Sequence, residues 1–498
     1  MASLAALAVC FLALFAIYKY IVTPCFLSPL SKIPNAHFTA PILPTWRRWT
    51  FRQNRLNRTI HALHKRHGPI VRLGPNEVSV NSINGLKTIY IGGFEKTDWY
   101  PDNFKNFNAL NMGTMKAHRP HSVMKRMVSH VFSNSYVINS PDVEKFARVL
   151  LFDRLLPVLD RETRDDMSSS FDIYCLGRAI AMDFVSAYYV GLGNSTDFIR
   201  NLDGWDEWIR DWDATKDWSP AKRAFSAIEK RYMTLVDSTI KSCETKEPKE
   251  DGIRTKPIVF GQLWSSLQKQ YPSRGEYNRI IAASETMDNF LAGHETMGIT
   301  LTYITYELSK NPALQAKLRS ELLTLSPPIT HRPGSNFEKA RLPSFQSLDA
   351  LLLLDAVIKE TMRVYPIAGG PQPRVTPSNK HVVLEGYTIP AGVTVHSSAY
   401  TLHRNAAVFP DPEAWLPDRW LNAEKAQLDE MKRWFWAFGS GGRMCIGSHF
   451  ALLTLKLVVV AVYSNYASFV VDDEGIEPLD SFITMPVGEK LILELTRI

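Results

Sequence analysis

The segment EYNRIIAASETMDNFLAGHETMGITLTYITYELSK, residues 276–310, constrains this chain more than any other. It contains no proline, and Ile280, Ile281, Met287, Phe290, Leu291, Ile299 and Ile304 recur at helical spacing. As one helix it is about 50 Å long at 1.5 Å per residue, which is the span of a whole domain. Asn311 and Pro312 then read as the N-cap and first residue of another helix. Strand signals are few. HGPIVRLGPNEVSVNS (67–82) reads as two strands around Gly74-Pro75, and HVVLEGYTIPAGVTVHSSAY (381–400) as strands between Gly and Pro turns. The expected fold is mainly α with minor β: a long central helix with small sheets at one side.

The 498 residues, 45% hydrophobic and 21% charged, are enough to bury a large core. Lys and Arg number 57 against 50 Asp and Glu, a net charge of +7. That balance suits an anionic membrane surface or an acidic protein partner. Without a run of like charge, and with its tryptophans scattered, the chain is not expected to bind nucleic acid. Cys10, Cys25, Cys175, Cys243 and Cys445 form no C-x-x-C pair, which leaves no zinc ribbon or thioredoxin-like site. So sparse and odd a set fits free thiols in a reducing compartment.

Leu4 to Tyr18 is unbroken apolar sequence that resumes after Lys19 with Tyr20, Ile21 and Val22. With Lys19 snorkelling, this suffices for one membrane-spanning helix of roughly 20 residues. No basic residue precedes the run, as a cleaved signal peptide would require. Lys19, Lys32, Arg47, Arg48, Arg52 and Arg55 follow it, which predicts a single pass with the bulk of the protein in the cytoplasm. The sequons at Asn57 and Asn194 are then expected to stay unglycosylated. Pro29, Pro34, Pro41 and Pro44 predict a stiff linker. The expected organisation is an anchor over 1–25, a linker over 26–50 and one large domain over 51–498.

In FGSGGRMCIG (438–447) four glycines surround Cys445, with Arg443 two positions before it. By itself this thiol is a buried structural cysteine, half of a disulfide or a metal-ligating thiolate. The unpaired cysteine set argues against the disulfide. Elsewhere, Glu360 and Arg363 stand three apart on one helix face. Phe438, Gly441, Arg443, Cys445 and Gly447 match the haem-binding signature of the cytochromes P-450, the haem-thiolate monooxygenases. The chain resembles that family along its whole length. Glu360 and Arg363 look like the family's helix-K pair, and Arg419 in FPDPEAWLPDRWL (409–421) like the arginine that joins it. LAGHET (291–296) is similar to the oxygen-activation motif of the central helix.

The resemblance implies haem b with Cys445 as its axial ligand. Nearby positive charge, backbone N–H groups and the dipole of the helix opened by Gly447 are expected to lower the thiol pKa. The glycines at 439, 441, 442 and 447 are expected to let the backbone approach the ring, with Phe438 on the sulfur side. Arg443 and Arg374 are the expected propionate partners, joined by His121 and Lys125 from HSVMKRMVSHVFS (121–133). Gly293 is expected to clear space beside the iron, and Glu295 and Thr296 to relay protons there. Met297 replaces a frequent second hydroxyl. Phe290, Leu291, Ile367 and Phe482 are the expected contacts of a lipophilic substrate.

The implied reaction takes O2 and electrons from an NADPH-dependent reductase docked near Arg126, Lys432 and Arg433. It inserts one oxygen into a C–H or double bond. The implied setting is a monomer in the endoplasmic reticulum membrane, touching lipid, in fungal secondary-metabolite biosynthesis. Two alternatives are a reductase-independent isomerase or dehydratase, and a haem sensor or electron carrier without substrate.

Overall fold

The computed structural model describes residues 2–162, 170–216, 225–244 and 255–498. Helix α1 (Ala2–Ile17) continues as a wider π-helical stretch, Tyr18–Leu27, that contains Pro24. Leu4–Leu27 is one 24-residue helix of mean hydropathy 2.2, unburied, and long and apolar enough to cross a membrane. The proline-rich segment behind it packs against the domain because it carries apolar residues of its own. Leu30 and Ile33 are 2% and 1% exposed and lie against Ile70, Val78 and Val80. The buried Arg72 guanidinium donates to the carbonyls of Pro24 (2.8 Å), Gly74 (3.2 Å) and Pro75 (2.8 Å), fastening the end of the apolar helix to the first strand. Asn57 is also buried, its Nδ2 donating to the Ser481 carbonyl at 2.8 Å. The folded chain therefore excludes a glycan there on either side of a membrane, and only Asn194 reports topology.

After helix α2 (Thr45–Arg52), strands β1 (Ile70–Gly74) and β2 (Glu77–Val80) form the antiparallel pair read around Gly74-Pro75, with Ile70 opposite Val80. The short β3 (Glu95–Lys96) leads through α3 (Trp99–Phe104) to α4 (His118–Val128). Further on, β4 (Ser170–Asp172) runs directly into α5 (Ile173–Val190), which the Asp172 carboxylate caps through the N–H groups of Tyr174 and Cys175.

The expected long helix is present in one piece as α6 (Gly275–Ser309). It is buried on most sides, which its threonines tolerate for a specific reason. Thr286, Thr296, Thr300, Thr302 and Thr305 each donate the hydroxyl to the carbonyl four residues back, at 2.7–2.9 Å. Helix α5 lies along α6 closely enough that a Cβ on Gly298 would sit 2.7 Å from the Arg178 Cα. Helix α7 (Pro312–Leu322) starts at the expected proline, but Asn311 does not cap it. Its amide instead donates to the Glu307 carbonyl at 2.7 Å, satisfying the end of α6.

Helix α8 (Leu352–Val364) precedes β5 (Arg374–Val375), and the 381–400 region supplies β6 (Val382–Leu384), β7 (Tyr387–Ile389) and β8 (Thr394–His396). Helix α9 (Ser448–Tyr463) is followed by β9 (Tyr466–Asp472) and β10 (Ile492–Arg497). Among the described residues the sheets have the orders β1-β2-β8-β5-β3, β4-β10-β9 and β6-β7. The protein is mainly helical with small sheets, and α6 runs through its main apolar core.

Candidate active site

The loop before α9 is closed by the Cys445 N–H donating to the Phe438 carbonyl at 2.9 Å. The Phe438 ring packs, half-buried, against the main core. Gly441 has φ +70°, and a Cβ there would lie 2.3 Å from the Tyr90 carbonyl oxygen. A glycine is therefore required there by the backbone of residues 90–91. Gly442 has an ordinary φ, with nothing nearer to its Cβ than His118 at 3.8 Å. Gly447 differs again: it lines the cavity, and its Cβ would meet no atom of the chain within 4 Å. The Cys445 thiol lines the same cavity. Burial pushes its pKa up, against the pull of the Gly447 N–H and the Lys125 ammonium. The expected lowering is thus not met by the chain alone, because desolvation of the thiolate outweighs one amide and one cation.

The cavity is partly open to solvent and holds about 220 Å³ between its walls. Lys96, Lys125 and Arg443 line it, and each donates to backbone carbonyls. Arg443 donates to the carbonyls of Met115 (2.5 Å), Lys116 (2.7 Å) and Ala117 (3.0 Å). On α4, the Lys125 Nζ donates to the Gly442 and Met444 carbonyls at 3.0 and 3.2 Å. Behind the lining, opposite Lys96 in the sheet, the buried Arg374 donates to the Tyr100 hydroxyl at 2.6 Å and stands over the Tyr90 and Tyr100 rings. Lys96, unmarked by any motif in the sequence, completes the group on the cavity wall.

These charges depress one another. Lys96 is lowered to about 7 by burial and then by Arg374 and Arg443, and Arg443 to about 10 by burial and then Arg374. His121 is buried, not an exposed helix histidine, and burial, Arg443, Lys96 and Lys125 lower it to about 3. It is neutral, so it offers one N–H rather than a charge. Three partly buried cations beside a thiol, with the open Gly447 cradle, fit an iron porphyrin with two carboxylates.

Behind the loop, Glu360 and Arg363 are both fully buried rather than a solvated pair. The carboxylate accepts from Arg363 Nε (2.9 Å) and Nη2 (2.8 Å) and from Arg419 Nε (2.9 Å). The Trp420 indole (2.8 Å) and the Leu416 N–H (2.9 Å), which the motif did not announce, complete five donors.

On α6 the cavity is lined by Asp288, Asn289, Ala292, Gly293, Thr296 and Met297. The Thr296 hydroxyl faces it while donating to the Ala292 carbonyl at 2.8 Å. Glu295 does not line it. Its buried Oε1 accepts from Arg178 Nη2 on α5 at 2.6 Å. The expected acid–alcohol pair is thus separated, because an interhelical ion pair holds the acid.

The cytochrome P450 family model matches residues 40–493. The chain is a cytochrome P450. It is 28% identical to the cytochrome P450 monooxygenase avaI of Aspergillus versicolor over 417 residues, covering 80% of this chain and 95% of that protein. It is 27% identical to the monooxygenase hkm5 of Aspergillus hancockii over 495 residues, covering 95% and 92%. Pisatin demethylase of Fusarium vanettenii is 25% identical over 462 residues, covering 89% and 85%. This P450 is therefore a monooxygenase of a haem-thiolate family.

Several residues expected at the substrate are elsewhere in the P450. At about 100° per residue, Phe290, Leu291 and Glu295 lie roughly 100° or more from the middle of the cavity stripe of α6. Phe290 is a core residue with its ring against Tyr189 and Tyr232, and Leu291 packs on the same core. Ile367 is buried among Tyr174, Ile299 and Tyr303. Phe482 lies on a second, smaller cavity with Trp99 and Phe51, its ring 4.8 Å from that of Trp99. The helical phase of α6 was the available signal for Asp288 and Asn289, which face the cavity and were missed. Gly293 does line the cavity, and its Cβ would also lie 2.6 Å from the Val185 Cγ2 on α5, so helix packing requires the glycine as well. Gly293→Ala is expected to cost about 1–3 kcal/mol by overpacking. Val185→Ala in the same chain should restore most of that loss in denaturant unfolding. Failure of the second change to rescue the first would show that the glycine is not there for helix packing.

Proposed function

We propose that this P450 holds haem b through Cys445 and oxidises a lipophilic small molecule with O2 and electrons from an NADPH-dependent reductase. When bound, the haem supplies oxygen activation and insertion of one oxygen atom into a C–H or double bond. The observation that carries the reading is the shared cavity: the Cys445 thiol and the Thr296 hydroxyl line one space with Lys96, Lys125 and Arg443.

The chain's own groups have distinct tasks there. Lys96, Arg374 and Arg443 receive the propionates, and His121 and Lys125 donate to them from α4. Thr296 Oγ1 turns its proton from the Ala292 carbonyl towards the cavity, where it holds a water. Glu295 joins a proton path only after leaving Arg178, so that path includes a side-chain rotation. Phe132, Tyr189 and Met297 keep the space apolar, which suits a lipophilic substrate. Arg126 and Lys432 are exposed for an acidic reductase surface, whereas Arg433 is partly engaged by Glu430 at 2.8 Å. The apolar helix Leu4–Leu27 and the basic residues behind it support a single pass of the endoplasmic reticulum membrane, facing the cytoplasm. The fungal origin of the relatives supports a role in secondary-metabolite biosynthesis.

The test is the absorption spectrum of the reduced, carbon-monoxide-bound protein, wild type against Cys445→His. The two are expected to differ, because thiolate and imidazole donate differently to iron. Matching spectra would remove Cys445 as ligand. Turnover that needs no NADPH or reductase would instead indicate an isomerase or dehydratase.

A further inference from the structure

The loop that carries Cys445 and helix α4 hold each other through cations aimed in opposite directions. From the loop, Arg443 donates to the carbonyls of Met115, Lys116 and Ala117, the three residues that lead into α4. From α4, the Lys125 Nζ donates to the carbonyls of Gly442 (3.0 Å) and Met444 (3.2 Å), on either side of Arg443. The Met444 carbonyl belongs to the peptide unit that enters Cys445. The N–H of that unit donates to the Phe438 carbonyl at 2.9 Å. One peptide plane is thus pinned at both ends, and Lys125 supplies the pin at its carbonyl.

The two carbonyls occupy two of the three ammonium donors without cancelling the charge. A propionate contact therefore uses the smaller part of what Lys125 offers. Its charge also draws the Cys445 thiol pKa down, and the thiol in turn draws the Lys125 ammonium up. Each group favours the charged form of the other. We infer that Lys125 is the positioning residue of the thiolate ligand: it fixes the peptide unit entering Cys445 and places a positive charge near the sulfur, which raises the reduction potential of the bound haem. A cation there favours the state with one more electron, and contacts around an axial ligand tune potentials in this way.

The inference rests on the reading of Cys445 as the haem ligand, but its test needs no turnover. The full-length holoprotein is prepared as wild type, Lys125→Arg, Lys125→Gln and Lys125→Met. A reductive titration followed by absorbance gives the one-electron potential, and resonance Raman of the ferric protein gives the iron–sulfur stretch. Lys125→Met is expected to lower the equilibrium constant for reduction roughly tenfold, which is about 59 mV for one electron. It should also shift the iron–sulfur stretch, because the sulfur then donates more freely. Lys125→Arg keeps the charge and should stay near the wild-type potential, whereas Lys125→Gln keeps a donor without the charge and should follow Lys125→Met. An unchanged potential in Lys125→Met, or an equal fall in Lys125→Arg, would overturn the assignment. A lowered potential with an unmoved iron–sulfur stretch would overturn it too, by making Lys125 a partner of the propionates only. If Lys125→Met does not load haem, Lys125→Gln decides in its place. Haem retained by Lys125→Arg alone would support the assignment, and haem lost from all three variants would overturn it. The wild-type carbon-monoxide spectrum separates the two failures. A spectrum without thiolate character removes the haem-thiolate reading, and a thiolate spectrum with a potential insensitive to residue 125 removes Lys125 alone.

Discussion

Gly441→Ala should lower haem occupancy at least tenfold, while Gly442→Ala, one residue further on, loads like wild type. The two glycines look equivalent in the sequence, and the difference is geometric. At 441 the backbone is left-handed, which costs an alanine about 1 kcal/mol, and the added methyl meets the Tyr90 carbonyl at 2.3 Å. A carbonyl cannot rotate away as the end of a side chain can, so the loop itself has to move. That contact sets the distance between the loop and the backbone at 90–91, and Arg443 and Cys445 follow within four residues. Displacement of about 1 Å at the loop takes the thiol and the guanidinium off their geometry together. At 442 the methyl has 3.8 Å to its nearest neighbour and an ordinary φ. Haem content per chain and the carbon-monoxide spectrum read the result. Equal loading of the two variants would show that the loop is not held against Tyr90.

What the sequence made legible was information carried by contiguous residues. Helix α6 could be read end to end because an uninterrupted 3.6-residue pattern and a closing Asn-Pro need no distant partner. The glycines around Cys445 mark their loop for the same reason. The orientation of Glu295 was not legible, because the residue that decides it, Arg178, is 117 positions away on α5. Lys96 had no motif, and its role rests on strand β3 pairing with β5, which sets it opposite Arg374. The misplacement of Phe290 and Leu291 is a different kind of error. The phase of α6 separates them from Thr296, and their apolar side chains serve the core instead.

Glu360→Ala is expected to destabilise the protein by about 3–5 kcal/mol, the scale for removing one partner of a buried ion pair. The loss is large because Arg363 is fully buried and Arg419 is 9% exposed, so neither guanidinium can recover its hydration in place. Arg363 keeps the carbonyls of His403 (3.1 Å), Pro412 (2.6 Å) and Ala414 (2.8 Å), which accept hydrogen bonds but leave its charge uncompensated. Arg419→Met in the Glu360→Ala background should therefore return part of the loss, whereas Arg419→Met alone should destabilise. Denaturant midpoints at constant m-value measure this cycle, and strict additivity of the two changes would mean that no charge is stranded. The damage also has a route to the thiol. His403 is lowered to about 3 by burial and then by Arg363, and so stays neutral. Its Nδ1 donates to the Arg363 carbonyl at 3.2 Å, which leaves Nε2 as the acceptor of the Trp436 N–H at 2.8 Å. Trp436 is two residues before Phe438, whose carbonyl closes the Cys445 loop at 2.9 Å. Loss of Glu360 should thus release haem at denaturant concentrations below the unfolding of the helices. A variant that lost helix and haem together would show that the network supports the whole core and not this loop.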